Sequence, residues 1–381
     1  MGVDEKLIIL FGAGQSGVDA LHRLGKERVA YFCDNKHAGE DRNGIKILSF
    51  DEMAEIHSDY RIVVSVDFYP MIVELSNQLN RTGIPHEYFL VMKNCLHVYR
   101  DNGGDIQFER ESKALEPWAE NRFTNGTIQM IRDSFDKFPD EVNKTFSAWI
   151  YGGDWTYEAD ICRELIGVDH IFSYSTSYAL SDRVIPIPDY KFYHSGYAVD
   201  DRTLEGDELL EELWKKEEQP WKDERAFWVG NISNSEARYR LKVMSERYPE
   251  KICVKSFYVQ GTNQSGLENY VEMKDFSDYK YLIDVRGYGW TDRVKLLLAM
   301  GRPLLLVDRP FVEYYYSLLE PMKNYVPIRE DLSDLIEKID YLDGHSDIYN
   351  SIVKNARMFT EEYFKRDEVL KTMANVIKRS R

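Results

Sequence analysis

Short apolar runs closed by glycine or aspartate recur along the chain, each followed by a segment of helical spacing. LIILFG (residues 7–12) leads into a pattern with Val18, Leu21 and Leu24 on one face, and VAYFCD (29–34) follows. GIKIL, YRIVVSV and HEYFLV are further strand candidates, and MIVELSNQLNRTG is an amphipathic helix stopped by Gly83. The last third alternates in the same way. KICVKSFYV, KYLIDVRG, PLLLVD and NYVPI read as strands, and TDRVKLLLAMG, FVEYYYSLLEP and DLSDLIEKIDYL as helices. Two more helical stretches close the chain. Alternation of this kind predicts parallel, doubly wound sheets. TFSAWIYGG, HIFSYST and AFWVG add strand-like runs in the middle. Between them and the first unit, CLHVYRDNGGDIQFERESKALEP has a turn cluster and dense charge, the marks of a linker. The chain is therefore read as α/β: a Rossmann-like domain over 1–95, a linker over 96–120, and two Rossmann-like halves over 121–235 and 236–381. A length of 381 residues suits two or three such units.

Several function classes drop out. A net charge of −16 opposes phosphate-backbone binding, so nucleic acid is not an expected partner. An anionic small molecule needs only a local basic pocket. No apolar run reaches the roughly 18 residues of a membrane span, although peripheral membrane association remains open. The N-terminal apolar stretch runs straight into a glycine turn and reads as a buried strand, not a signal peptide. Cys33, Cys95, Cys162 and Cys253 are dispersed, with no CxxC pair, which favours a reducing compartment over disulfides or zinc. HExxH, Walker A and GxSxG patterns are absent, and so is any Asp-x-Asp that would hold a divalent ion. His170 and His194 read as structural residues, and no metal site is expected.

Gly12-Ala13-Gly14-Gln15-Ser16-Gly17 is a full G-x-G-x-x-G between a strand and a helix. Gly12 would make the tight turn, Gly14 let a pyrophosphate approach, and Gly17 let the helix pack closely, with Asp34 placed for ribose hydroxyls. This makes the first domain a candidate nucleotide site. The other reading is that the glycines serve packing alone. GAGQSG, YFCDN and Gly44-Ile45-Lys46-Ile47-Leu48 resemble the N-terminal domain of bacterial acyltransferases acting on nucleotide-linked sugars.

In the last third, Tyr281-Leu282-Ile283-Asp284-Val285-Arg286 opens into Gly287-Tyr288-Gly289-Trp290. Thr291 or Asp292 is placed to cap the next helix, which carries Arg293 and Lys295 in its first turns. Cations avoid a helix N-terminus unless an anion is there as well, so either a diphosphate binds at this turn or both side chains are solvated. The stretch YKYLIDVRGYGWTDRVKLLLAMGRPLLLVDRPFVEYYYSLLEPMKNYVPIREDLSDL resembles glycosyltransferase family 90, which includes protein O-glucosyltransferases, capsule xylosyltransferases and bacterial surface-polysaccharide enzymes. Ile171-Phe172-Ser173-Tyr174-Ser175 with Asp182 and Pro186, and Trp221-Lys222 with Ala226-Phe227-Trp228-Val229-Gly230-Asn231, are weaker matches to the same family. Many members have arginine where this chain has Val229 and Ile232, so Arg238 or Arg240 is a candidate replacement.

The resemblance implies a GT-B pair, with 121–235 as acceptor side and 236–381 as donor side. It implies that Arg293 and the backbone of Gly287, Tyr288, Gly289 and Trp290 hold a donor diphosphate, with Thr291, Gly230, Asn231 and Arg238 beside them. Glu313 and Asp331 fall at acidic positions for sugar or ribose hydroxyls, Asp331 being equally well placed as a helix cap. Ser175 and Asp182 would line the pocket. Family members invert the anomeric centre, and Asp154 of Tyr151-Gly152-Gly153-Asp154-Trp155 is the expected general base. The implied reaction is metal-free transfer of glucose, xylose or galactose from a UDP-sugar to a saccharide or lipid-linked saccharide. Surface polysaccharide or lipopolysaccharide synthesis in a bacterial cytoplasm is the expected setting. No cofactor beyond the donor is required. Two rivals stand beside it: an NAD-dependent nucleotide-sugar-modifying oxidoreductase built on the first domain, and a non-catalytic nucleotide-sugar-binding protein.

Overall fold

In the first apolar run of the computed structural model, Ile8 to Phe11, every residue is at most 2% exposed, as a central parallel strand requires. The structure describes residues 6–66, 69–89, 95–110, 122–139, 145–153, 156–190, 197–199, 202–260, 263–265, 269, 271–287 and 289–378. Contacts divide the chain into two units, Met1–Cys95 with Glu109–Ala119, and Leu96–Phe108 with Glu120–Arg381.

The first unit contains β1 (Ile8–Phe11), β2 (Val29–Cys33), β3 (Asp41–Arg42), β4 (Ile45–Leu48), β5 (Arg61–Val64) and β6 (Glu87–Tyr88), in the order β3-β4-β2-β1-β5-β6. All pairs are parallel except β3 with β4. Strand order therefore reverses at β1, whose C-terminal end runs into the glycine turn. Gly12 has φ +118°, and a Cβ there would lie 2.5 Å from Val66 Cγ1. A Cβ on Gly17 would lie 2.0 Å from the Gly12 carbonyl oxygen, whereas one on Gly14 would meet nothing within 4 Å. The Asp34 carboxylate accepts from the Ala13 amide at 3.0 Å and from the Lys36 and His37 amides at 2.9 and 3.2 Å. It ties the ends of β1 and β2 together.

The second unit has two principal sheets. One runs β12-β10-β9-β7-β8, from β7 (Cys95–Arg100), β8 (Gln107–Arg110), β9 (Phe146–Tyr151), β10 (Ile171–Ser173) and β12 (Val184–Pro186). The segment expected as a linker thus carries β7 and β8 over part of its length. Asn102-Gly103-Gly104 separates two short strands here, and does not mark a domain boundary. The other sheet runs β17-β16-β15-β18-β19-β21, from β15 (Asp223–Asn231), β16 (Ile252–Gln260), β17 (Asn263–Ser265), β18 (Tyr279–Asp284), β19 (Leu304–Val307) and β21 (Val326–Ile328). β15 pairs in parallel with both β16 and β18, so the second sheet begins before the boundary expected at 235.

Alternation along these strands explains their two-sided burial. Phe227, Val229, Leu282, Leu304 and Leu306 face one apolar cluster, and Ala226, Trp228, Tyr281, Ile283, Leu305 and Val307 the opposite one. The first cluster also holds Val98, Ile150 and Phe172 of the other sheet and Phe359, Leu370 and Met373 of the last helices. The terminal helix Arg366–Ile377 crosses to Arg122–Lys137, where Arg366 pairs with Asp133 and Lys137 with Asp367. Phe311–Pro321, expected as a helix, instead gives β20 (Phe311–Val312) and a 3₁₀ turn at Tyr316–Leu318. A non-local partner decides this: β20 pairs antiparallel with β11 (Thr176–Ser177).

Close approach at the first glycine turn predicts unequal tolerance. Gly17→Ala should destabilise the first unit by about 1–3 kcal/mol, and Gly14→Ala by about 0.5 kcal/mol or less. Denaturant unfolding of the full chain reads the difference, and equal midpoints would contradict the geometry.

Candidate active site

Asp284 ends an apolar strand and is fully buried. An isolated carboxylate could not stay ionised there, so its partners define the site. Arg309 donates from Nη1 to Asp284 Oδ2 at 2.7 Å and from Nη2 to its carbonyl oxygen at 2.9 Å. Arg293 donates from Nη2 to Oδ1 at 3.0 Å and from Nη1 to the Val229 carbonyl at 2.7 Å. Burial works to raise the Asp284 pKa, but Arg309, then Arg293 and Arg238, hold it below the ordinary carboxylate value.

Arg238, on the helix Glu236–Arg247, donates from Nε to the Arg286 carbonyl at 3.0 Å and from Nη1 to the Asn231 carbonyl at 3.2 Å. Its guanidinium carbon lies 5.4 Å from the Trp228 ring centroid. Burial, followed by repulsion from Arg293, brings its pKa down to about 10. Three guanidiniums around one carboxylate leave the cluster net positive.

A cavity of about 310 Å³ opens beside these groups, lined by Gly230, Asn231, Asn234, Arg238 and Arg293, with Met273 and Phe276 as an apolar wall. It lies where β15 gives way to β18, the reversal of strand order at which parallel α/β sheets bind ligands. Arg238, not Arg240, therefore supplies charge beside Val229. Arg240 pairs with Glu236 on the exposed helix face.

A second charged cluster is buried nearby in the same chain order. Lys295 and Asp189 form an ion pair, each at most 3% exposed. Glu313 is 4% exposed and accepts from the Tyr315 hydroxyl at 2.9 Å. Burial, partly opposed by Lys295 and reinforced by Asp189, pushes the Glu313 carboxyl up to about 8. For Lys295, burial is overcome by Asp189 and Glu313, which keep it charged.

The remaining expected positions are dispersed. Gly287 is close to Arg238, its Cβ position 3.2 Å from Nη2. Gly289 and Thr291 are buried, and Thr291 Oγ1 accepts from the Arg293 amide at 3.4 Å. The Trp290 ring stands 5.6 Å from Tyr174, and its buried Nε1 has no partner among the described residues. Arg293 precedes a helix of only five residues, Val294–Leu298. Both cations expected at that helix start already face carboxylates, Asp284 and Asp189. Ser175 is buried against Thr156, with hydroxyl oxygens 2.6 Å apart, and Asp182 is exposed in a turn.

Asp331 accepts from the Ser333 amide at 3.0 Å and closes a turn, while Asp334 holds the N-cap position. With Arg240, Arg286 and Arg329 it lines a separate groove of about 430 Å³. Asp154 and Tyr288 lie outside the described residues. Sequence reasoning passed over Asp284, Arg309 and Asp189; a charged residue within YLIDV was the signal for the first.

The arrangement is that of an α/β protein with a cationic ligand cleft at a strand-order reversal. The model of glycosyl transferase family 90 matches residues 153–380, and the chain belongs to that family. It is similar to protein O-glucosyltransferase 3 of Homo sapiens, at 28% identity over 81% of this chain and 57% of the relative. Protein O-glucosyltransferase 1 of Rattus norvegicus is 27% identical over 52% of this chain and 53% of its own length. The chain spans about half the length of the curated relatives it matches. Among solved structures, TarM aligns with a TM-score of 0.36 at 10% identity, covering 98% of this chain and 99% of that one. HepE of Anabaena in complex with UDP aligns with a TM-score of 0.28 at 10% identity, covering 97% and 98%.

Glu313 gives a pH signature. A carboxyl whose folded pKa exceeds its unfolded value keeps a proton in the native state that the unfolded chain has lost, so stability falls as pH rises from 4.5 to about 8. Glu313 should contribute up to about 1.4 kcal/mol per pH unit of that fall. Glu313→Gln retains the acceptor for Tyr315 and should flatten the profile. An unchanged slope in the variant would remove Glu313 as the titrating group.

Proposed function

We propose that the cleft beside β15 and β18 binds the donor of a glycosyl transfer, a UDP-sugar, with its diphosphate between Arg238 and Arg293. The observation that supports this reading is the positive excess around Asp284: Arg293 and Arg309 bond its buried carboxylate, and the charge of Arg238 acts on it as well. A diphosphate would supply the anion that the desolvated Arg238 lacks. Met273 and Phe276 offer the nucleoside an apolar wall.

Asp154 is proposed as the base that takes the acceptor hydroxyl proton while its oxygen attacks the anomeric carbon and UDP leaves. Inversion at that carbon follows from the single displacement. The arginine cluster is proposed to stabilise the departing diphosphate without a metal ion. Glucose, xylose or galactose are the candidate sugars, and a saccharide of a surface polysaccharide the candidate acceptor. The dispersed cysteines favour placing this reaction in the cytoplasm. The turn at Gly14 is kept as a separate nucleotide site, on the strength of its open approach.

Titration calorimetry with UDP and UDP-sugar hydrolysis, both in EDTA, test the reading together. Arg238→Ala should weaken UDP binding about tenfold to a hundredfold, the loss of a charge-assisted contact. Asp154→Asn should leave UDP affinity unchanged and lower turnover about 10²–10⁴-fold. UDP binding that requires added Mg²⁺, or that survives Arg238→Ala intact, would defeat this assignment of the cleft.

A further inference from the structure

A different cavity, of about 280 Å³, opens at the C-terminal ends of β19 and β21. Three tyrosines wall it, Tyr178, Tyr316 and Tyr325; Arg329, Asp334 and Lys338 contribute polar groups, and Asp308 and Arg309 line it as well, the Arg309 guanidinium being held by Asp284. Tyr178 reaches it from the other sheet's connections: β11 pairs with β20, Ser177 stands opposite Phe311, and Tyr178 is the next residue. Tyr178 is 77% exposed. A single exposed tyrosine is ordinary. One delivered by a strand pairing to the lining of a cavity that two other tyrosines also wall is a built feature.

The polar groups there retain free capacity. The Arg329 guanidinium is 4.0 Å from the Asp334 carboxylate and 3.4 Å from Ser333 Oγ, both at the outer limit of contact. The Asp334 carboxylate accepts from the Arg329 amide at 2.9 Å and has lone pairs left over. Lys338 has no carboxylate partner within ion-pair distance among the described residues. Aromatic faces with donors and acceptors at the edge match the two surfaces of a pyranose ring, an apolar C–H face and a belt of hydroxyls.

We propose that this cavity holds a pyranose ring of the saccharide acceptor, with Tyr178 stacked on its face. The inference rests on the transferase reading above and shares Arg309, which is held by Asp284, with the cluster beside the donor cleft. It adds a place for the acceptor to the donor cleft at Arg238 and Arg293.

Methyl glucopyranoside, methyl galactopyranoside and methyl xylopyranoside serve as probes in saturation-transfer NMR on the full chain, alongside UDP calorimetry. At least one pyranoside should give a signal with the unaltered chain. Tyr178→Ala should weaken that binding about threefold to tenfold, the range of one stacking contact, and Tyr178→Phe should preserve it. UDP affinity should be the same in all three proteins.

No pyranoside signal, or one that Tyr178→Ala leaves unchanged, overturns the proposal while UDP binding keeps the donor reading intact. A loss of UDP affinity in Tyr178→Ala overturns it by making the cavity a nucleoside site. Failure of the unaltered chain to bind UDP strikes the donor reading alone if the pyranoside signal still depends on Tyr178. Tyr178 is exposed, so its variants should fold as the unaltered chain does, and an unchanged melting temperature checks this.

Discussion

Burying Asp284 among guanidiniums is the interaction on which the architecture of the second unit turns. An ionised carboxylate at the end of a central strand is sustained only by opposite charge and hydrogen bonds. Arg309 reaches it from the end of β19 and Arg293 from the loop after β18. Arg293 also bonds the Val229 carbonyl of β15. Three neighbouring strand ends are thereby held in one arrangement. Removing the carboxylate would leave like charges packed together, the circumstance in which a buried ion pair costs most to break. The cluster is thus a structural brace that still has positive charge to offer.

Where the sequence and the fold agree, burial on both faces is the reason. YLI and LLLV are short continuous apolar runs because alternate residues enter different clusters, and IILF is buried throughout as a central strand; such runs show in composition alone. The disagreements have non-local causes. Phe311 and Val312 look helical beside their tyrosines, but their partner is β11, more than a hundred residues earlier. β7 and β8 are short and charged at their ends, so the turn between them resembled a linker. β15 joins the second sheet through pairing with β16 and β18, which no local pattern announces.

The candidate site was legible in the same uneven way. Glycines and the arginine at 293 stand out by type and spacing, and the departure at Val229 directs attention to a replacement cation. Choosing between Arg238 and Arg240 needs the helix orientation. Residues two apart on a helix point to different sides, and here Arg238 turns inward over Trp228 while Arg240 remains with Glu236 at the surface. Asp189 carried no motif at all; it acquires meaning only because Lys295 comes to lie against it.

The same two-residue spacing separates Arg293 from Lys295, and it divides their work. Arg293 turns to Asp284 at the end of the second sheet, while Lys295 turns to Asp189, which follows the strands of the first. One short helix therefore links a charge cluster in each half of the unit. An anion entering beside Arg293 must compete with Asp284 for the guanidinium, whereas Lys295, enclosed with Asp189 and Glu313, is shielded from such competition. The net positive cluster lies beside the open cavity and the fully paired lysine in the interior. The chain thus keeps one cation available for a ligand and uses the other to hold its two sheets together.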